Sequence, residues 1–468
     1  MKQIRLIISL LLISVMGTAY AQVVSPVDFM RNNSRASFAN PAFFSKDYGY
    51  FDFGLGGINI GFQNIGLKYD SFFRYNAAGQ PQVLDLDNGL ARLRDKNYLN
   101  TFLNIDVFNC GRRTKYGFFT YSHRIREWES LRYSKDLVKL IAAGNGSFVG
   151  ANSADIDIAL SVRAVQEFNF GYQMCLTDKL NIGARVKFLM GITDARTGVF
   201  NLQLNTDADS YALRLMADMN AKASLPYKIE EVNGWPTITD RRFNMANLFK
   251  NYGAGIDLGA EYIINDQFGV AAAINDLGFI SWKNNTAQFH AGFVDGGSMY
   301  QNGGLVFEGL SNEAVNAILD DADVLKQYID TLKQCIDVNL TTGVRYTTGL
   351  NTSLMVRGYY DLTPEHRFSA QLMGFATGIG MKPAMTLAYT GSFGDNYDVV
   401  ATYTMMPGSY DNLGIGLSAN FGGFIMYVAS NNILGFFNSA NITQTNLQFG
   451  LAFSGGGKTK RSDTILLK

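Results

Sequence analysis

The side chains that most often carry enzymatic or metal chemistry are few and scattered in this sequence. Its three histidines are His123, His290 and His366, and none belongs to a His-Glu-x-x-His metal motif. No Gly-x-Ser-x-Gly segment marks a nucleophilic serine. We therefore interpret the histidines as strand or loop residues near the rim of the fold. We expect no catalytic, cofactor or metal residues, and no enzyme activity.

Three short segments match ligand-binding motifs only in part. Gly455–Thr459 reads Gly-Gly-Gly-Lys-Thr, like the end of a phosphate loop, but Ala452 stands where that loop needs its first glycine. The acidic stretches Asp85–Asn88 and Asp320–Asp323 offer oxygen ligands for calcium without EF-hand spacing. We interpret the first segment as a flexible basic tail and the other two as solvated loop charges.

Alternation of apolar and polar residues is the strongest pattern in the chain. From Ile156 to Leu176 nearly every even position is apolar, and the odd positions carry most of the polar side chains. After a predicted turn at Thr177–Lys179, the same period of two continues over 180–193. The polar faces of these two predicted strands supply four candidate lumen-facing charges: Arg163, Glu167, Arg185 and Lys187.

The period of two recurs over 252–264, 268–274 and 413–421. The polar faces are rich in Gly, Asn, Gln and isolated charges, whereas a soluble sandwich usually carries many Lys and Glu there. The apolar faces end in aromatic residues, like the girdles of outer-membrane barrels. A strand crosses a bilayer in about 9–11 residues. We therefore predict an all-β fold, a transmembrane antiparallel β-barrel of about 14 strands (range 14–16).

The bulk composition agrees with a barrel and excludes other classes. Charged residues make up 17% of the 468 residues and aromatic residues 13%, whereas soluble proteins have about 25% charged residues. Lys+Arg and Asp+Glu are equal at 40 each, so no global field favours nucleic acid. Cys110, Cys175 and Cys335 are scattered and predict neither a disulfide framework nor a zinc site.

Residues 1–21 have the features of a secretory signal peptide. Two basic residues precede the apolar stretch Leu6–Met16, which is too short to span a bilayer as a helix. Ala19 and Ala21 form a small-x-small cleavage pattern. We expect export and cleavage before Gln22.

Short turns alternate with long connections along the chain. The predicted turns are Thr177–Lys179, Asn265–Asp266 and Thr348–Asn351, and the long connections are 66–97, 126–153, 194–251 and 284–336. This asymmetry is typical of barrels with short periplasmic turns and long outer loops. Within the long loops we predict a helix over Asp136–Ala143 with Ser134 as N-cap and Gly144 as stop, a helix over Ser311–Cys335, and a hairpin over 196–224.

The chain divides into four predicted segments: a signal peptide (1–21), a plug (22–48), the β-barrel (49–454) and a flexible tail (455–468). The plug mixes polar and aromatic residues that could enter the lumen and satisfy inward polar groups. A loosely ordered leader to the first strand is the alternative. The last strand, near Thr443–Phe453, ends in a partial match to the polar-x-Gly-x-x-aromatic signal for barrel assembly.

Three stretches, taken in order, resemble one family. They are Asn40-Pro41-Ala42 before the first strand, the segment Ala273–Trp282 with Asn275, Asp276, Leu277, Gly278 and Trp282, and the segment Asn412–Leu434. The chain resembles uncharacterised Bacteroidota outer-membrane proteins grouped as a domain of unknown function. These are similar to barrels of the PorV type and of the FadL type, the long-chain fatty-acid transporters. The resemblance implies a 14-stranded barrel in the cell outer membrane, closed on the periplasmic side by the N-terminal plug.

Two functions stay open from the sequence. The FadL likeness implies passive uptake or binding of a hydrophobic or amphipathic small molecule. The PorV likeness implies a non-transporting accessory that binds secreted or surface proteins through its long loops. The expected partners are outer-membrane lipid and the barrel-assembly machinery, with either a small-molecule ligand or a protein partner, and no nucleic acid.

Overall fold

The protein is described by a computed structural model. It describes residues 24–43, 51–76, 81–114, 116–150, 153–209, 212–232, 235–240, 249–293, 300–301, 304–307, 336–377, 380–394, 396–437 and 443–455. The predicted signal peptide, the helix predicted over Ser311–Cys335 and the predicted tail beyond Gly455 lie outside these residues.

The alternating segments of the sequence form long β-strands. Fourteen strands within the described residues make up the barrel wall: β1 (Phe51–Ile65), β2 (Lys96–Thr114), β3 (Gly117–Ser134), β4 (Ser153–Cys175), β5 (Leu180–Thr206), β6 (Tyr252–Ile263), β7 (Phe268–Trp282), β8 (Ser353–Asp361), β9 (His366–Thr377), β10 (Gly380–Phe393), β11 (Tyr397–Met406), β12 (Ser409–Phe421), β13 (Phe424–Ser430) and β14 (Gln444–Gly455).

Each wall strand pairs antiparallel with the next one, and the sheet closes where β14 pairs with β1 over Phe51↔Gly455 to Gln63↔Gln444. Closure leaves no open edge, so the backbone groups of the wall find partners inside the sheet. The predicted fold class is confirmed: the chain is all-β, and the described wall is a closed antiparallel barrel of fourteen strands.

The two faces of the wall have opposite chemistry. Large apolar side chains such as Leu372 (60% exposed) and Val356 (58%) point outward along nearly every strand. Polar side chains such as Asn169 and Gln371 are buried on the inward face. Soluble monomers rarely expose an apolar belt of this extent, whereas contact with lipid makes it favourable.

Short connections gather at one end of the barrel, called here the turn end. They join β2–β3, β4–β5, β6–β7, β8–β9, β10–β11 and β12–β13. In the β6–β7 turn, the Asn265 side chain accepts the backbone N–H groups of Gln267 (2.9 Å) and Phe268 (2.8 Å). The opposite end, the loop end, carries the long connections, together with the two-residue connections β9–β10 and β11–β12. The predicted asymmetry of turns and loops is therefore present.

The loop end carries strands and helices of its own. Its strands are Phe73–Tyr75, Pro81–Leu84, Leu213–Ser224, Lys228–Val232, Trp235–Asp240, Thr286–Phe293, Tyr300–Gln301, Gly304–Phe307, Ile336–Thr342 and Tyr346–Gly349. Its helices are α1 (Leu86–Arg92), α2 (Lys135–Ala143) and α3 (Leu434–Phe437), with one-turn 3₁₀ helices at Tyr69–Phe72 and Asn145–Phe148. None of the described helices has the length and apolar character needed to cross a membrane.

Helix α2 matches the sequence prediction. The Ser134 hydroxyl accepts the Leu137 N–H at 3.3 Å, and Gly144 ends the helix with φ +71°. The hairpin predicted over 196–224 is also present, because the upper part of β5 pairs with Leu213–Ser224. Asp85 caps α1, and its carboxylate accepts the Asn88 N–H at 3.1 Å.

One turn prediction is wrong, and two loop boundaries are too wide. Thr348–Asn351 does not reverse the chain. It is a short break between two strands that run in the same direction, because Tyr346–Gly349 and β8 both pair antiparallel with β7. The connections predicted to begin at 126 and 194 start later, because β3 runs to Ser134 and β5 to Thr206. These strands continue beyond the belt because neighbouring strands still satisfy their backbone groups.

Candidate functional site in the barrel lumen

Residues 24–43, called here the inner segment, fold back against the inward face of the wall. Two short 3₁₀ helices, Pro26–Phe29 and Ser34–Phe38, shape it. The Ser25 hydroxyl caps the first helix by accepting the Val27 N–H at 3.2 Å, and the Asn33 amide oxygen caps the second. These caps satisfy backbone groups that would otherwise be buried without partners.

The Asn40-Pro41-Ala42 motif anchors the end of the inner segment. The Asn40 amide donates to the carbonyls of Ala260 and Ala272, both at 3.2 Å, which belong to the paired strands β6 and β7. Its oxygen accepts the Ala42 N–H at 2.8 Å, and the Gln173 amide donates to the Ala42 carbonyl at 2.7 Å. Asn40 and Ala42 are fully buried, and their polar groups find partners in the wall and within the motif itself.

Wall side chains also hold the backbone of the inner segment along its length. Arg357 donates to the Asp28 carbonyl at 2.8 Å, and Arg185 donates to the Ser37 carbonyl at 2.9 Å. The Asp398 carboxylate accepts the backbone N–H groups of Arg31 (2.9 Å) and Asn32 (2.7 Å). The wall thus recognises the main chain of this segment through charged side chains from distant strands.

Side chains of the inner segment make a second set of contacts. Arg35 forms a buried ion pair with Asp106 of β2, and Asp106 also binds Arg124 at 2.7 Å. The Phe38 ring lies under the guanidinium groups of Arg124 (4.1 Å) and Arg185 (4.8 Å). Cation–π contacts of this kind gain strength when both partners are desolvated.

Burial raises the pKa of the Asp28 carboxyl to about 6, against the opposing effects of the Ser25 N–H and the positive Arg357. Asp28 belongs to the inner segment, and its carboxylate accepts the Ser25 N–H at 3.0 Å. The charge of this group therefore changes in the neutral-to-mildly-acidic range.

Six buried charges form a compact network in the lumen, called here the charged layer. Arg126 binds Glu167 (2.8 Å) and Asp276 (3.0 Å), and Lys187 binds Asp257 at 2.8 Å. The charged layer consists of Arg126, Glu167, Arg185, Lys187, Asp257 and Asp276. Three positive and three negative groups balance, which is the condition for keeping charges ionised away from water.

Asp276 enters this layer through an irregularity in β7. Neighbouring Asn275 and Asp276 are both buried, and the register with β6 shifts between Ile256 and Leu258. Asp276 has φ +58°, a conformation that Asp and Asn tolerate better than most residues. The side-chain amide of Asn275 donates to the Ala39 carbonyl of the inner segment at 2.8 Å.

The structure brings together three of the four predicted lumen charges. Glu167, Arg185 and Lys187 belong to the charged layer, whereas Arg163 lies apart. Arg163 binds Asp194 at 3.1 Å and donates to the Gly349 carbonyl at 2.7 Å, beside the break that precedes β8. It braces the wall near the loop end.

A second layer, called here the apolar layer, consists of buried inward side chains: Phe102, Trp128, Val165, Leu189, Ile280, Trp282 and Leu350. The Trp282 indole N–H donates to the Thr348 hydroxyl at 2.9 Å, and Tyr346 stacks beside it at 6.4 Å. The sequence analysis singled out Trp282 without this role and missed the other six. Alternation along the strand could have predicted that such residues point inward. Leu189, for example, shares the inward face of β5 with Arg185 and Lys187.

The remaining family-motif residues have separate structural places. Leu277 points outward and is 48% exposed, next to the irregularity at Asp276. Gly278 lies against the backbone of β6, where a Cβ atom would overlap the Ala254 carbonyl. These two residues shape the wall without lining the lumen.

The histidines do not meet in space. His123 stacks on Phe168 at 4.5 Å, His290 lies 3.4 Å from Asp218, and His366 bonds the Tyr389 hydroxyl at 2.8 Å. In the described part of the chain, no group of three or more His, Cys, Asp or Glu side chains is arranged to hold a metal ion.

Solved structures with a related outline include several transport barrels. The toluene transporter TodX of Pseudomonas putida aligns with a TM-score of 0.44 at 10% identity, covering 91% of this chain and 95% of that one. The toluene transporter TbuX of Ralstonia pickettii aligns at 0.42 and 10%, covering 90% and 94%. A FadL homologue of Pseudomonas aeruginosa aligns at 0.39 and 10%, covering 94% and 98%. TM-scores below 0.5 do not carry a ligand from those proteins to this chain.

Sequence comparison assigns a family. No curated protein matches the sequence significantly. Residues 41–431, which span the wall from before β1 to the end of β13, match the family of unknown function DUF5723. The match starts inside the Asn40-Pro41-Ala42 motif and includes the charged layer, the apolar layer and the irregularity at Asp276. The chain belongs to the DUF5723 family.

Proposed function

We propose that this protein is an outer-membrane barrel that binds or passively takes up a hydrophobic or amphipathic small molecule. The closed wall with an outward apolar belt supports placement in an outer membrane, with the turn end facing the periplasm. The predicted export leader supports the same location. The inner segment would close the lumen from the periplasmic side, as proposed for the plug at 22–48.

The apolar layer carries this proposal. The lumen of a water-filled porin is polar, whereas here six large apolar residues and Val165 meet inside the wall. Binding sites for small apolar molecules are usually lined by such side chains with a few polar groups among them. Tyr346 and the Trp282–Thr348 hydrogen bond supply those polar groups.

Native mass spectrometry with lipid extraction tests the proposal on full-length protein purified from membranes of its own host. We expect a co-purified apolar or amphipathic small molecule. Leu350→Asp should lose it, because a carboxylate in the apolar layer opposes apolar binding. Leu84→Asp on the exposed loop-end hairpin is the matched control and should retain it. Retention by Leu350→Asp would contradict a site in the apolar layer.

A second candidate is a non-transporting accessory that holds a protein partner through the loop end. The close fit of the inner segment favours it: the cavity that separates this segment from the wall measures only about 80 Å³. A stoichiometric protein partner with no small molecule in the same experiment would favour this candidate over uptake.

A further inference from the structure

A large cavity opens inside the loop end, above the apolar layer. Its volume is about 590 Å³, within the range of about 300–1,000 Å³ for small-molecule sites. Residues of β3, β4, β5 and four loop-end strands line it. We call this cavity the vestibule.

The described lining of the vestibule is positively charged. It includes Arg132, Arg196 and Lys222, and no Asp or Glu occurs among the described lining residues. Arg132 and Arg196 are held by Asp157 (2.8 Å) and Asp194 (3.0 Å) outside the lining. Among the described residues, no carboxylate forms an ion pair with the exposed Lys222. Within the described residues, the lining therefore offers one cation, Lys222, that has no ion-pair partner and can meet a negative group of a ligand.

Hydroxyl and amide groups make up much of the remaining lining. They come from different strands, as shown by Asn220 and Gln288 of the loop-end sheet and Thr341 of the strand Ile336–Thr342. Such groups both donate and accept hydrogen bonds, which suits a ligand that carries several hydroxyls. A purely apolar molecule would leave them without partners, at a cost for each group.

The vestibule is continuous with the apolar layer through its floor. Tyr346 and Thr348 line the vestibule, while Tyr346 packs on the apolar layer and Thr348 accepts the Trp282 indole N–H. A single ligand could therefore place a polar head in the vestibule and an apolar part against the apolar layer.

We propose that the vestibule binds the head group of an amphipathic solute, and that this head group is both anionic and rich in hydroxyls, as in an acidic sugar linked to an alkyl chain. This inference rests on the proposed function for the apolar part of the ligand. It assigns the charge and the hydroxyls of the head to Lys222 and to the threonine and amide side chains of the vestibule.

The test compares four probes by calorimetry on the full mature protein in nanodiscs without sugar detergents. The probes are octyl glucuronide, octyl glucoside, octanoate and free glucuronate. We expect octyl glucuronide to bind about tenfold more tightly than the glucoside or octanoate, the size expected for one hydrogen bond to a charged group. Equal binding of octanoate would overturn the hydroxyl-rich head, and equal binding of the glucoside would overturn the anionic head. No binding of the glucuronide would overturn the proposal.

Two substitutions locate the contacts. Lys222→Gln should weaken glucuronide binding about tenfold and leave glucoside binding unchanged, whereas Lys139→Gln on α2, outside the vestibule lining, should have no effect. Thr341→Val should weaken glucuronide binding and spare octanoate. A heat-dependent gel shift checks that each variant is folded. If free glucuronate binds as tightly as octyl glucuronide, the head-group site is supported. The same result would contradict the apolar contacts in the proposed function.

Discussion

At the scale of single residues, Asp276 combines two demands that few side chains meet together. Its backbone lies in the left-handed region, and its carboxylate joins Arg126 to Lys187 in the charged layer. Its N–H donates to Asp257 at 2.7 Å, which connects the irregular backbone to the same layer. An acidic side chain that tolerates positive φ therefore serves both backbone and charge.

Substitution at Asp276 separates these demands. Asp276→Asn keeps the tolerance of positive φ and removes the charge, and we expect a loss of about 3 kcal/mol because Arg126 and Lys187 lose one partner. Asp276→Val should cost about 1–3 kcal/mol more, since a β-branched residue is strained there. Urea unfolding of the reconstituted barrel measures both. Equal stabilities of the two variants would show that backbone strain plays no part.

The raised pKa of Asp28 predicts how the stability of the inner segment depends on pH. Its folded pKa of about 6 lies above the ordinary 3.8. The stabilising contribution is therefore complete below about pH 3.8 and is lost as pH rises through about 6. Hydrogen-exchange protection of residues 24–43, relative to an Asp28→Asn variant at the same pH, should fall between pH 4 and 7. A constant ratio of hydrogen-exchange protection between the wild type and Asp28→Asn over this pH range would contradict this prediction.

At the scale of elements, glycines in the wall make room for the inner segment. A Cβ atom at Gly183 of β5 would overlap the Pro41 carbonyl, and one at Gly259 of β6 would overlap the Asn40 amide oxygen. Strand glycines often mark such close approaches of another backbone. The strands β5 and β6 thus accommodate the Asn40-Pro41-Ala42 motif because their glycines have no side chains at the points of contact.

Gly183→Val should displace the motif while the barrel still closes. Overpacking of this kind costs about 1–3 kcal/mol, and we expect reduced hydrogen-exchange protection of residues 39–43. Gly358→Val on β8 is the control, because a Cβ atom there would meet none of the described residues within 4 Å. Unchanged protection in Gly183→Val would argue against docking of the motif on β5.

At the scale of the whole molecule, the closed hydrogen-bond network and the outward apolar belt predict barrel behaviour. The protein should fractionate with outer membranes, because its belt needs lipid and its wall has no open edge. Unheated samples should migrate differently from boiled ones on a gel, since closed barrels resist detergent until heated. A soluble periplasmic product without this shift would contradict the outer-membrane proposal.

The sequence predicted the wall better than the lumen. Alternation over Ile156–Leu176 and 180–193 identified β4 and β5, and the capping residues Ser134 and Gly144 placed α2 to within one residue. The break at Leu350 was mistaken for a turn, because a short polar stretch between strands looks alike in both cases. Leu189 was missed because an apolar residue on the polar face carries no local mark of what it meets.

Period, composition and capping are local properties, so the sequence by itself determined the strand class, the two faces of the wall and the number of strands expected. The partners across the lumen are not local. Arg126 meets Asp276 at a separation of 150 residues, and Ser25 donates to Gln448 at a separation of 423. Only barrel closure and strand register decide which inward side chains share a level. The tertiary structure therefore decided the charged layer, the apolar layer and the vestibule.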